Sequence, residues 1–154
     1  MTPPGPGGPS YARRMATIFS RIIDGELPGT FVWRDEVCVA FLSIGPLRPG
    51  HVLVVPRVEV DHWLDLDPSV AEHLMRVSQV IGQAQMAAFE PERVGLVIAG
   101  MEVPHTHLHL IPIRTEADLS FANAGSAGPE ELEANAARLR AALVDLGRPE
   151  VADR

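Results

Sequence analysis

Cysteine is nearly absent from this chain. Cys38 is the one thiol among 154 residues, which excludes an intrachain disulfide framework and a Cys-x-x-Cys metal knuckle. It lies in the apolar run EVCVAFL, the setting of a buried small residue rather than a reactive thiol. A long hydrophobic run is missing too. No stretch approaches the ~20 apolar residues of a membrane-spanning helix, so no membrane partner is expected. Basic charge is scarce: 13 Lys and Arg stand against 20 Asp and Glu, a net charge of -7. An extended grip on nucleic acid is therefore not expected, although a local pocket for a small anion is allowed. The opening MTPPGPGGPSYARR lacks the apolar core of a secretory signal. It reads as a flexible leader over residues 1–15, with Met15 as an alternative start, and the cytoplasm is the expected location.

What is present fits one α+β domain. Hydrophobic residues make up 46% and charged residues 21%, the balance of an ordinary globular protein with a single core. Ile18, Phe19, Ile22 and Ile23 recur at helical spacing between Thr17, a natural N-cap, and Gly25, a natural stop. TFVWRDE and VCVAFLS read as two strands of a hairpin, and HVLVVPR as a third strand buried on both faces. From Pro68, apolar residues at 70, 74, 77, 81, 84 and 88 form one helical stripe. RVGLVIAG and HTHLHLIPI supply two more strands. Short strands and tight loops imply a five-stranded antiparallel sheet with one long crossover helix. This domain occupies residues 16–114. A small, polar linker is expected over 115–128. A C-terminal helix over 129–147 buries Leu132, Leu139, Leu143 and Leu146 against the domain or a second subunit, and residues 148–154 form a tail.

Half of the six histidines fall in one short segment, VPHTHLHLIPI. In a strand, residues i, i+2 and i+4 share a face, so His105, His107 and His109 project together. Successive histidines then start roughly 6.6 Å apart. Three readings follow. The rings are satisfied structural histidines; or two of them bind a transition metal with His51 as the best further ligand; or they perform phosphoryl or nucleotidyl chemistry. Imidazole is a good nucleophile near neutral pH. A neighbouring imidazole can stabilise charge on a phosphate oxygen. The third reading accounts best for a nucleophile, an orienting group and a phosphate binder in one row, with no metal or cofactor.

The sequence resembles the histidine triad (HIT) family of nucleotide hydrolases and transferases. The resemblance rests on HTHLHLI, with IFSRIIDGELP, VCVAFLS, RPGHVLVVPR and DLDPSV in the family's order, and covers residues 17–113. It implies the HIT-like α+β fold, a homodimer and a nucleotide substrate. It also implies that His107 attacks the α-phosphorus of a phosphoramidate, phosphoester or phosphoanhydride to form a nucleotidyl-histidine that water hydrolyses. His109 would contact the α-phosphate, with His105 and His51 in support. Phe19, Ile22, Phe41 and Ile44 match the positions lining the base pocket. A nucleotide-binding protein of the same fold with little turnover is the alternative, beside the metal-binding one. Four departures shape these expectations. Thr17 and Ser20 stand where many bacterial relatives carry zinc-binding cysteines, which argues against zinc here. Ser43 replaces an Asp that holds the ribose hydroxyls. Met101 stands in a shortened loop where a polar phosphate contact is common, and Thr106 puts a hydroxyl on a face usually apolar. Glu102 is given no catalytic role.

Overall fold

The hairpin is built on one carboxylate. Asp35 Oδ1 accepts the backbone N–H groups of Val37 and Cys38, both at 2.8 Å, reversing the chain between β1 (Phe31–Arg34) and β2 (Cys38–Leu42). The computed structural model describes residues 16–152, so the leader expected over residues 1–15 lies outside the described residues. Three more strands, β3 (Val52–Pro56), β4 (Arg93–Val97) and β5 (Leu108–Ile113), complete one antiparallel sheet in the order β1-β2-β3-β5-β4. Every residue of β3 is buried, as its unbroken apolar run requires.

Strand alternation divides the sheet into two chemically different faces. Cys38, Ala40 and Leu42 point into the larger core, whereas Val39 and Phe41 join Phe19 in a separate cluster on the other side. Helix α1 (Ile18–Ile23) supplies Phe19. Thr17 caps it by accepting the Ser20 N–H, and Gly25 ends it with a φ of 83°. The larger core lies under α2 (Pro68–Phe89), capped by Asp67, whose side chain accepts the Ser69 N–H at 2.9 Å. Leu74, Val77, Ile81 and Ala84 form the buried stripe. Gln85 interrupts it: the residue is fully buried, and its Oε1 has no partner. A buried polar atom left unsatisfied costs about 1–3 kcal/mol.

Helix α3 (Pro129–Asp145) packs on the domain itself, inserting Leu132, Ala136, Leu139 and Leu143 into the core beneath α2. Leu146, expected on that buried face, is exposed instead. The helix ends at Asp145, and Gly147, with a φ of 75°, turns the chain away. The segment expected as a linker carries two short 3-10 turns, Glu116–Leu119 and Phe121–Asn123, followed by Gly125 and Ala127 donating to the carbonyls of Pro46 and Ile44. Beyond α3 the chain returns along β1, where Arg34 N–H reaches Glu150 O at 2.9 Å and Ala152 N–H reaches Val32 O at 3.1 Å. Among the described residues no helix is long and apolar enough to cross a membrane.

Truncating Leu139, fully buried between α3 and the sheet-facing core, to Ala should lower the unfolding free energy by about 2–5 kcal/mol. Urea denaturation checks this.

Candidate active site

The histidine row is not one continuous strand. The sequence pattern extends β5 back to His105, but the strand begins at Leu108, leaving His105 and His107 on the segment that leads into it. The cause is local. His105 N–H bonds Val103 O at 2.8 Å, and the Thr106 N–H and hydroxyl both donate to Val60 O, at 2.7 and 2.8 Å. These bonds tie residues 105–106 to the chain after β3 in place of a strand ladder. Thr106 therefore has a definite use for its hydroxyl. The rings still converge: the His107 and His109 centroids lie 4.8 Å apart.

The hydrogen bonds determine which nitrogen of each ring carries a proton, because backbone carbonyls only accept and backbone N–H groups only donate. His105 Nε2 faces Pro56 O at 2.8 Å and must donate to it, so its Nδ1 accepts the Thr17 hydroxyl at 2.7 Å. His107 Nδ1 lies 2.7 Å from His105 O and donates. Its Nε2 is left with a lone pair. A second chain starts at Leu47, whose N–H donates to His51 Nδ1 at 3.1 Å. His51 Nε2–H then donates to His109 Nδ1 at 2.9 Å, so His109 carries its proton on Nε2. The row thus presents a lone pair at His107 beside an N–H at His109. That pairing suits attack on an electrophile bearing a negative oxygen.

The surroundings keep these rings neutral. Burial, with the nearby His107 second, pushes His51 down to about 4, and burial, His107 and His51 together push His109 down to about 3. Burial lowers His105 and His107 as well, against the opposing pull of their carbonyl partners.

The expected pocket residues divide into two groups. Phe19, Phe41 and Ile22 lie together in one apolar cluster. The Phe19 ring stands edge-on to His107 at 4.8 Å and to Phe41 at 5.6 Å. Ile44 is apart from that cluster and 75% exposed. Ser43 is half-buried, and its Oγ accepts the Gly45 N–H at 3.3 Å. Met101 is 91% exposed. Phe121 was not singled out by sequence reasoning, yet its ring lies 5.0 Å from His109 while the residue remains 46% exposed. The only signal for it was a lone aromatic in the small, polar SFANAG. Gln85 and Glu59 were missed as well. Glu59 Oε1 accepts the Thr17 N–H at 2.7 Å and the Ser20 hydroxyl at 2.8 Å.

These last contacts bear on metal binding. Where relatives would offer two thiolates, Thr17 and Ser20 offer hydroxyls. Those hydroxyls are bonded to His105 and Glu59, and both nitrogens of His105 are used. This donor set does not fit a structural zinc. Nor do His51 and the row form a ligand cage, since His51 spends both nitrogens on Leu47 and His109. Among the described residues, the group whose ligand atoms converge is Asp35, Cys38 and His73. There Asp35 Oδ2 accepts from Trp33 Nε1 and from His73 Nε2, at 2.8 and 2.7 Å. Cys38 points to the helix side of the sheet, away from Phe19 and the histidine row.

Stability should carry the mark of the neutral rings. An unfolded histidine titrates near ~6.5. As pH falls from there towards the folded values of about 4 and about 3 for His51 and His109, the unfolded chain binds more protons. The urea midpoint should therefore drop from about pH 7 to about pH 5, while ring NMR finds His51 and His109 still neutral in the folded protein.

The model of the HIT domain matches residues 24–116. A bis(5'-nucleosyl)-tetraphosphatase (asymmetrical) of Schizosaccharomyces pombe is 37% identical over 114 residues, covering 70% of this chain and 61% of that protein. A purine nucleoside phosphoramidase of Escherichia coli is 31% identical over 101 residues, covering 62% and 85% respectively. The solved structure of a zinc-bound histidine triad family protein from Mycobacterium smegmatis superposes with a TM-score of 0.75 at 29% identity, covering 86% of this chain and 96% of that one.

Proposed function

Because the chain belongs to the HIT family, we propose that it is a nucleotide hydrolase or nucleotidyltransferase acting at an α-phosphorus through His107. One observation carries the reading: His107 Nδ1–H is held by the His105 carbonyl at 2.7 Å, which leaves Nε2 unprotonated beside the His109 N–H. In the first step Nε2 bonds to phosphorus. The bond to the leaving group breaks, and that group departs with the electron pair and takes up a proton from solvent. The positive charge gained by the imidazole is stabilised by the His105 carbonyl through Nδ1–H. In the second step water adds to phosphorus and gives up a proton to solvent, the P–N bond breaks back to neutral His107, and a nucleoside monophosphate is released. His109 donates Nε2–H to an α-phosphate oxygen, where negative charge builds up. His51 holds His109, and His105 with Thr17 holds His107. No metal or cofactor takes part in these steps.

Phe19, Ile22, Phe41 and Ile44 would face the base, with Ser43 offering one hydroxyl proton to the ribose. The names of the S. pombe and E. coli relatives support phosphoanhydride and phosphoramidate links as the classes to try. A second reading, nucleotide binding with little turnover, draws its support from Ser43, whose single oxygen already accepts the Gly45 N–H. One bond from a hydroxyl grips a ribose less firmly than a bidentate carboxylate.

The test is to mix the protein with an adenosine phosphoramidate, quench within the first turnover and measure intact mass, with His107→Ala alongside. A nucleotidyl adduct on the wild type and none on the variant is the expected outcome. Binding without adduct or released monophosphate would select the second reading. We also propose a homodimer. The C-terminal residues pair with the β1 edge, whereas β4, at the other edge, has no fully buried residue. An open edge of this kind is suited to antiparallel pairing with a second copy. Sedimentation should give twice the chain mass, and Leu96→Lys on β4 should shift it to the monomer.

A further inference from the structure

Gln85 of α2 is a completely buried polar side chain that reaches both the turn before β3 and strand β5. Its Nε2 donates to Gly50 O and to Leu110 O, each at 2.9 Å, and its Oε1 has no partner. A Leu or Met would fill this place without stranding an oxygen. The amide cannot be flipped, because its oxygen would then confront two carbonyls.

The two carbonyls are not arbitrary ones. Gly50 immediately precedes His51, and Leu110 immediately follows His109. The ladder between β3 and β5 runs from Val52↔Leu110 to Val54↔Leu108, so His51 lies one residue beyond its end. A single NH2 group, with its two hydrogens in fixed geometry, therefore ties the turn before His51 to the residue after His109, just beyond the last ladder pair. Phe89 reinforces it. One helical turn on from Gln85, its ring occupies the space where a Cβ on Gly50 would sit, 2.5 Å from Cε2, and Gly50 adopts a φ of 87°. The helix thus indexes the entry to β3 with one ring and one amide.

We propose that Gln85 is a positioning residue that sets the His51–His109 hydrogen bond and, through it, the direction in which His109 presents Nε2–H. The catalytic consequence rests on the function proposed above; the geometric one does not. Removing the amide leaves Leu110 in its ladder pair with Val52 but frees the turn at Gly50 to shift against it. His51 then moves relative to His109, and His109 loses the donor that fixes its tautomer.

The experiment is Gln85→Met, similar in size and without donors, read in two ways. Ring-nitrogen NMR of the wild type should show His51 and His109 both protonated on Nε2 alone. In the variant His109 should become a tautomer mixture and take up a proton at higher pH than in the wild type. With an adenosine phosphoramidate, kcat should fall about 10- to 100-fold, as for a displaced catalytic group, with KM little changed. Ile81→Val, on the same buried stripe, controls for simple loss of packing and should leave both readouts as in the wild type. Gln85→Glu, which keeps the shape and one donor when protonated, should give an intermediate effect and decides the matter if the Met variant does not fold. Wild-type ring signals in a folded Gln85 variant, or the same ring changes in Ile81→Val, would overturn the proposal. Absence of turnover in the wild type would count against the function, while the ring signals would still judge Gln85.

Discussion

The bond from His107 Nδ1–H to the carbonyl of His105 determines what this protein has to offer chemically. At 2.7 Å it commits the proton of a nearly buried imidazole to one side and bares the lone pair on the other. A ring free to exchange tautomers would present a lone pair only part of the time. For the bond to exist, the His105 carbonyl must point along the row rather than into a strand ladder. The chain achieves this by delaying β5 until Leu108 and tethering Thr106 to Val60. The irregular entry to β5 and the bared lone pair of His107 Nε2 are consequences of the same backbone choice.

A second constraint is solvent exclusion. Four imidazoles packed this closely repel one another if charged, and burial already disfavours their charged forms. The fold accepts that situation by satisfying them in neutral form, with Thr17 and Pro56 on His105 and Leu47 on His51. Polar contacts at the helix α1 end, Glu59 with Ser20 and the Thr17 N–H, stand where a metal would tie the same elements together in relatives with thiolates. Thr17 and Phe19 join the helix to the row, by a hydrogen bond to His105 and an edge-on ring contact with His107.

Much of this architecture was legible from residue pattern. The unbroken VLVVP announced a strand buried on both faces, the stripe from Val70 to Ala84 a core-facing helix, and RDE a hairpin turn. Alternation at 105, 107 and 109 correctly put the rings on one side, but it could not reveal that Thr106 bonds Val60 and shortens the strand. Contacts between residues far apart in sequence were also invisible. Glu59 meets Ser20 across 39 positions. Gln85 looked like a gap in an apolar stripe, because its meaning lies in the carbonyls of Gly50 and Leu110. Phe121 sat in a polar stretch whose path over His109 depends on the capped turns before it.

The lone cysteine acquires a use from its surroundings. Cys38 has no exposed surface, and burial followed by the adjacent Asp35 carboxylate drives its thiol far above the ordinary range. Only a thiolate reacts readily with an alkylating reagent, so the folded chain is protected twice, by access and by charge. Once unfolded, that same sulfur becomes an ordinary one. With no second thiol in the sequence, the rate at which a reagent marks this molecule counts its openings. The chain carries its own clock for how often the sheet and its two long helices come apart.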